Sequence, residues 1–209
     1  MAHTLVVLHG FTMNAEVMRD ALGPLVKALE PRVRVVSLNA PHTCSAATVQ
    51  RVYPGASEAS LSPPHLCWWN ASQDGLEYQG WPETRDLVRE ALDRYAPASV
   101  LGFSQGGILA AAIAALSQTG ELPPIHAAVL IAGRKPRAAQ LQAAFLDPVA
   151  VPSLHVWGER DALTARYSEE LVECFSPATR EVVRWPGGHL VPTSGPAYDA
   201  IVRFVLDHA

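Results

Sequence analysis

Basic clusters, paired cysteines and long apolar runs are all scarce in this chain, and each shortage removes a class of function. No cluster of Lys and Arg occurs in the 209 residues, whose net charge is −4, so nucleic acid and anionic membranes are poor partners. The three cysteines, Cys44, Cys67 and Cys174, form an odd set without a CxxC pair. This argues against a disulfide framework and a zinc site, and fits a reducing compartment. No metal site is expected. The longest unbroken apolar run, Ile108 to Leu116, has nine residues, far short of the ~20 a membrane span needs. The opening MAHTLVVLHG lacks the basic region and small-residue cleavage site of a signal peptide, and the expected location is cytoplasmic. Charged residues make up 17% and hydrophobic ones 49%, against about 25% charged in typical globular proteins. That balance predicts one well-buried domain over 1–209, working as a monomer or homodimer.

Short apolar runs alternate with helix-period segments. Thr4–Leu8, Arg32–Leu38, Ser99–Phe103, Ala127–Ile131, Ser153–Trp157 and Arg180–Trp185 read as strands, the more continuously apolar of them as strands buried on both faces. Between them, helices are predicted from Asn14 to about Leu29, over Pro82–Tyr95, from Gln105 through ILAAAIAAL, and from Ala165 to Cys174; a last one runs from about Gly195 to Asp207. Strands alternating with helices predict an α/β fold in three layers, a mostly parallel sheet covered on both faces. Sites in such sheets lie at the carboxyl ends of the strands. Three segments stand there: HGF at 9–11, GFSQG at 102–106 and GERD at 158–161.

The interval 39–80 differs. It carries Pro41, Pro54, Pro63 and Pro64 and a dense aromatic patch, HLCWWN and YQGW. A loop of this length is unusual unless functional or disordered, and disordered segments are poor in aromatics. The segment reads as an ordered excursion above the sheet. Trp68, Trp69 and Tyr78 are its candidate substrate contacts, with packing of these rings onto the sheet as the alternative. Its one basic residue is Arg51, which favours neutral acyl groups.

GxSxG between a strand and a helix matches a nucleophile elbow. The turn is so tight that only glycine fits two places either side of the serine, so Gly102 and Gly106 suit it, and Ser104 projects above the sheet. The helix that follows brings unpaired N–H groups beside it. A Gly-rich connector with an incidental serine is the bland reading of the same five residues. The catalytic reading requires an acid and then a histidine downstream, in that order. Asp161 lies beyond the strand Ser153–Trp157, and His189 lies beyond the strand ending at Trp185. Among the rivals, Glu159 follows its strand too closely, Asp147 precedes it, and His208 sits at the end of the last helix. His155 reads as packed within its strand, and His9 as orienting a loop. His42 and His65 lie in the excursion. Backbone N–H groups of Gln105 and of Phe11, with Thr12 second, are the candidate oxyanion donors.

These stretches together resemble the α/β-hydrolases, and more narrowly the small serine hydrolases of the FSH family; carboxylesterases and acyl-protein thioesterases are more distant. The likeness rests on LHGFTMNAEVM, WWN followed by YQGWPETRDLVREAL, LGFSQGG, GERD and GGH, and it spans nearly the whole chain. It implies Ser104 as nucleophile, His189 as base and Asp161 as its orienting acid, with ester or thioester hydrolysis and no cofactor. The rival expectation is a non-hydrolytic protein on the same fold: a small-molecule binding protein, a lyase or a perhydrolase.

Overall fold

A computed structural model describes residues 3–56 and 61–209. In chain order its elements are β1 (His3–Leu8), α1 (Ala15–Ala21), α2 (Gly23–Leu29), β2 (Val33–Leu38), β3 (His42–Thr43) and α3 (Ala46–Val52). There follow β4 (Leu66–Cys67), β5 (Asn70–Ala71), β6 (Tyr78–Gln79), α4 (Trp81–Tyr95), β7 (Ala98–Phe103), α5 (Gln105–Gln118) and β8 (Ala128–Ile131). A 3₁₀ segment (Ala139–Phe145), β9 (Ser153–Gly158), α6 (Ala165–Val172), β10 (Arg180–Trp185) and α7 (Gly195–Asp207) complete the chain.

Six of the strands form one sheet in the order β10-β9-β8-β7-β1-β2, and every pairing in it is parallel. The unbroken apolar runs have a direct cause. Successive side chains of a strand point to opposite faces, and both faces here are covered. Val6 and Leu8 of β1 pack with Leu109 and Ile113 of α5 and Val88 of α4. Leu5 and Val7 pack with Met18 of α1, Leu25 and Leu29 of α2, and Phe204 of α7. The architecture is an α/β-hydrolase-type parallel sheet between two helical layers.

Strand order places the functional loops. From β1 the chain moves to β2 on one side, then returns past β1 to β7 on the other. The order reverses between β1 and β7, and the crevice outside the carboxyl ends at such a switch point is where ligands bind. His9–Phe11 leaves β1 there, and Ser104 leaves β7.

Two expectations need correcting. The helix predicted from Asn14 to Leu29 is two helices, parted at Leu22 (φ −93°, ψ 5°). Pro24 has no N–H to give, and its ring would collide with the carbonyl one turn back, so it sits in the first turn of a new helix. The excursion contains regular structure that period-based reading passed over. Helix α3 is capped by the Ser45 side chain. Two antiparallel ribbons, β3 with β4 and β5 with β6, pair only two residues per strand, too few for an alternation signal. The expectation for residues 57–60 lies outside the described residues.

Candidate active site

The junction of β7 and α5 shows why the residues around Ser104 are glycines. A Cβ on Gly102 would stand 1.9 Å from the Gly106 carbonyl oxygen, and one on Gly106 would stand 2.1 Å from the Leu8 carbonyl oxygen. No side chain survives such distances. Ser104 itself has φ 56° and ψ −114°, a region costing a non-glycine residue about 1–3 kcal/mol. Thr12 (φ 64°) and Ala132 (φ 50°) are the other non-glycine residues with positive φ among those described. All three follow the carboxyl ends of β1, β7 and β8, so the backbone strain encircles one crevice.

A hydrogen-bonded chain runs from the serine. His189 Nε2 lies 3.0 Å from Ser104 Oγ, and His189 Nδ1 lies 2.8 Å from Asp161 Oδ2. An ionised carboxylate only accepts, so Nδ1 carries a hydrogen, and in that tautomer of the neutral ring Nε2 is the acceptor facing the hydroxyl. Asp161 is 3% exposed. Burial pushes its carboxyl up, but the Thr164 hydroxyl, His189 and the Leu163 N–H outweigh this, and its pKa falls below the usual carboxylate value. Leu163 N and Thr164 N donate to Oδ1 at 2.9 and 3.0 Å, and the Thr164 hydroxyl donates to Oδ2. The loop bearing His189 reaches this acid because β9 ends in Gly158. A Cβ there would stand 2.3 Å from the Gly187 carbonyl oxygen, and Arg160 N donates to that same oxygen at 2.9 Å. The Phe103 ring lies against the imidazole, with centroids 4.9 Å apart.

Two N–H groups near Ser104 lack partners among the described residues. Gln105 opens α5, so its N–H has no acceptor within the helix; neither it nor Phe11 N–H has an acceptor among the described residues. Thr12 N–H, the second sequence candidate, is committed to Leu66 O at 2.9 Å. Phe11, Gln105, Ser104 and His189 line one cavity of about 380 Å³, together with Trp69 and Asn70.

The aromatic excursion behaves differently from its sequence expectation. Trp69 lines the cavity, stacked on Tyr78 with centroids 4.3 Å apart. Trp68 and Tyr78 do not line it. Trp68 is 0% exposed and its indole N–H donates to His9 O at 2.8 Å, while the Tyr78 hydroxyl accepts from Arg137 N at 3.0 Å. Both rings pack under the excursion because each polar tip finds a backbone partner there. The Gln105 side chain completes the anchorage, accepting from Trp68 N (3.0 Å) and donating to Trp69 O (2.9 Å).

The remaining histidines are engaged elsewhere. His9 is buried, gives its Nδ1 hydrogen to Gly10 O (2.8 Å) and accepts from Ala40 N (3.0 Å). Burial lowers its pKa to about 4, against a small upward pull from the Gly10 carbonyl. His155 pairs with Ser153, and His42 and His65 pair with the Gly80 and Thr12 carbonyls. His208 pairs with the Phe204 carbonyl. Glu159 and Asp147 are exposed and take no part in the hydrogen-bonded chain.

The family described as "Serine hydrolase (FSH1)" matches residues 1–201. The chain belongs to this family. Among similar members, "Esterase OVCA2" of Bos taurus is 30% identical over 216 residues, covering 96% of this chain and 94% of that protein. "Esterase OVCA2" of Danio rerio is 32% identical over 209 residues, with 91% and 90% covered. The crystal structure of Arabidopsis thaliana SOBER1 shares the fold at a TM-score of 0.71 and 15% identity, covering 100% of this chain and 99% of that one. As an FSH1 serine hydrolase the chain carries the α/β-hydrolase fold and an esterase-type family assignment. No helix among its described residues is long and apolar enough to cross a membrane.

Sequence reasoning passed over three residues at the crevice. Thr164 stands three places after Asp161, the spacing at which a carboxylate bonds the backbone ahead of a helix. Ala132 and Arg134 follow β8, and the strand-end rule that selected HGF, GFSQG and GERD applies equally to AGRK.

Proposed function

We propose that the protein hydrolyses carboxylic esters or thioesters by transferring the acyl group to Ser104. The observation that carries this reading is the Ser104–His189–Asp161 chain, with its links of 3.0 and 2.8 Å, opening into the cavity. His189 Nε2 takes the hydroxyl proton as Oγ bonds to the carbonyl carbon. The carbonyl electrons move onto oxygen, where the N–H groups of Phe11 and Gln105 receive them. Collapse of this intermediate expels the alcohol or thiol, which leaves with the proton from His189. Water, deprotonated by His189, then attacks the acyl-enzyme, and His189 returns that proton to Ser104 Oγ as the C–Oγ bond breaks and the acid leaves. Asp161 fixes the imidazole tautomer and stabilises the imidazolium without taking its proton.

The expected preference for neutral acyl groups is not retained. It rested on aromatics of which two turn into the core, and on Arg51 being the one basic residue of the excursion, whereas Arg134, outside the excursion, lines the cavity as well. The three thiols are free, which supports a reducing, cytoplasmic setting. The test is turnover on acyl chains of increasing length, offered as oxygen esters and as thioesters, by the wild type and by Ser104→Ala. Hydrolysis by the wild type and its loss in the variant are expected. A wild type that binds esters without turning them over contradicts the reading and favours a binding protein on the same fold.

A further inference from the structure

Two arginines line the cavity beside Ser104 in a protein whose net charge is −4. Arg51 of α3 and Arg134, beyond β8, both line it, and no Asp or Glu among the described residues does. Asp161 lies beneath His189 and is engaged by it. Among the described residues neither arginine has a carboxylate within 4.0 Å, whereas Arg85, Arg89, Arg180, Arg184 and Arg203 all do. Arg134 also has a buried Nε–H with no hydrogen-bond acceptor among the described residues. The Nε is sealed from the cavity, so the terminal nitrogens are what this side chain can offer a ligand. The guanidinium lies 5.9 Å from the Tyr167 ring centroid, and the segment before it is held by Ser168 Oγ donating to Gly133 O at 2.7 Å. The cation is therefore mounted on a fixed loop.

We propose that Arg134, with Arg51 as a second cation, binds a carboxylate carried by the ester or thioester substrate. A carboxylate meeting the two terminal nitrogens end-on makes the paired hydrogen bonds for which the planar guanidinium is suited. This inference rests on acyl transfer at Ser104 and narrows its substrate class. The carboxylate belongs either to the acyl part, as in a half-ester of a dicarboxylic acid, or to the leaving group.

Two matched pairs of esters separate these sources. The first compares mono(4-nitrophenyl) adipate with 4-nitrophenyl hexanoate, and the second compares 4-(hexanoyloxy)benzoate with 4-(hexanoyloxy)benzamide. The wild type is expected to favour the anionic member of one pair, and 0.5 M NaCl to reduce that preference. Arg134→Met should lower the anionic-to-neutral ratio of kcat/KM about tenfold or more, and Arg134→Lys by less, because the charge remains without the fork. Free adipate should inhibit hexanoate hydrolysis competitively, a readout that needs no variant to fold. Normal hexanoate turnover with no anionic preference in either pair, and no inhibition by adipate, overturns the carboxylate site alone. A protein that hydrolyses none of the four esters overturns the acyl-transfer reading, and this site with it.

Discussion

The elbow around Ser104 and the excursion at 39–80 meet the same cavity, yet they are built on opposite logic. At the elbow, backbone geometry dictates residue type. Cβ atoms on Gly102 or Gly106 would stand about 2 Å from a carbonyl oxygen, so the requirement is written in the chain as a five-residue pattern. In the excursion, tertiary packing decides which face of each aromatic is used. Trp68 and Trp69 are neighbours in sequence; the first is sealed against His9 O and the second borders the cavity. A constraint that acts through the backbone is legible locally, and one that acts through packing is not.

The sharpest way to break this contrast is at the hydroxyl. Ser104→Ala should reduce ester turnover by about 10⁴-fold or more while circular dichroism and Tm stay close to wild type. Retained kcat in that variant would reduce the elbow to a connector. Trp68→Ala should act the other way, costing about 3–5 kcal/mol of stability by urea unfolding because it empties a fully buried site. A loss in activity without a loss in stability would return Trp68 to the substrate-binding role that its sequence neighbourhood suggested.

Glycine substitutions compare the two regions on equal terms. Gly106→Ala drives a Cβ to 2.1 Å from the Leu8 carbonyl oxygen, whereas Gly55 in the excursion has φ 81° and no described atom within 4 Å of an added Cβ. The first should destabilise by about 3 kcal/mol or more, the second by about 1 kcal/mol, for the positive φ alone. Equal effects would mean that the elbow is less tightly constrained than its contacts indicate.

Much of the sheet and the order of the functional loops could be read from the chain, because both sheet faces are covered and the strands read as apolar runs. Ser104, Asp161 and His189 were selected by their positions after strands, and the structure brings their side chains together. Phe11 and Gln105 were selected the same way, and the commitment of Thr12 N–H to Leu66 O sets the second candidate aside. Illegible were the break at Pro24, the two-residue ribbons and the cavity face of Arg134. Each depends on a partner distant in sequence or on a signal shorter than any period.

Histidine 9 joins the two regions, donating to Gly10 on the elbow side and accepting from Ala40 at the start of the excursion. Burial holds its pKa at about 4, from an ordinary 6.5, and that of His155 at about 3. Below pH 6.5 the unfolded chain binds protons that the folded one refuses. Stability is therefore complete above pH 6.5 and falls as pH drops toward 4, by up to about 1.4 kcal/mol per pH unit for each histidine. Urea midpoints at pH 7.5, 6 and 5 check this, and His9→Gln should flatten part of the slope. A midpoint constant down to pH 4.5 would show that neither histidine is held neutral. The smallest effect is expected at the thiols. Cys44, Cys67 and Cys174 lie outside the cavity lining, so iodoacetamide should leave activity within about twofold, since thiol reactivity alone implies no role in turnover.

The central claim is that Ser104 is a nucleophile activated by His189, and covalent labelling tests it without any knowledge of the substrate. A fluorophosphonate probe, followed by intact-mass measurement and peptide mapping, should add one adduct, located on Ser104. Labelling should be lost in Ser104→Ala and slowed at least 10³-fold in His189→Ala. A folded wild-type protein that takes no label, or takes it at another residue, would contradict the account.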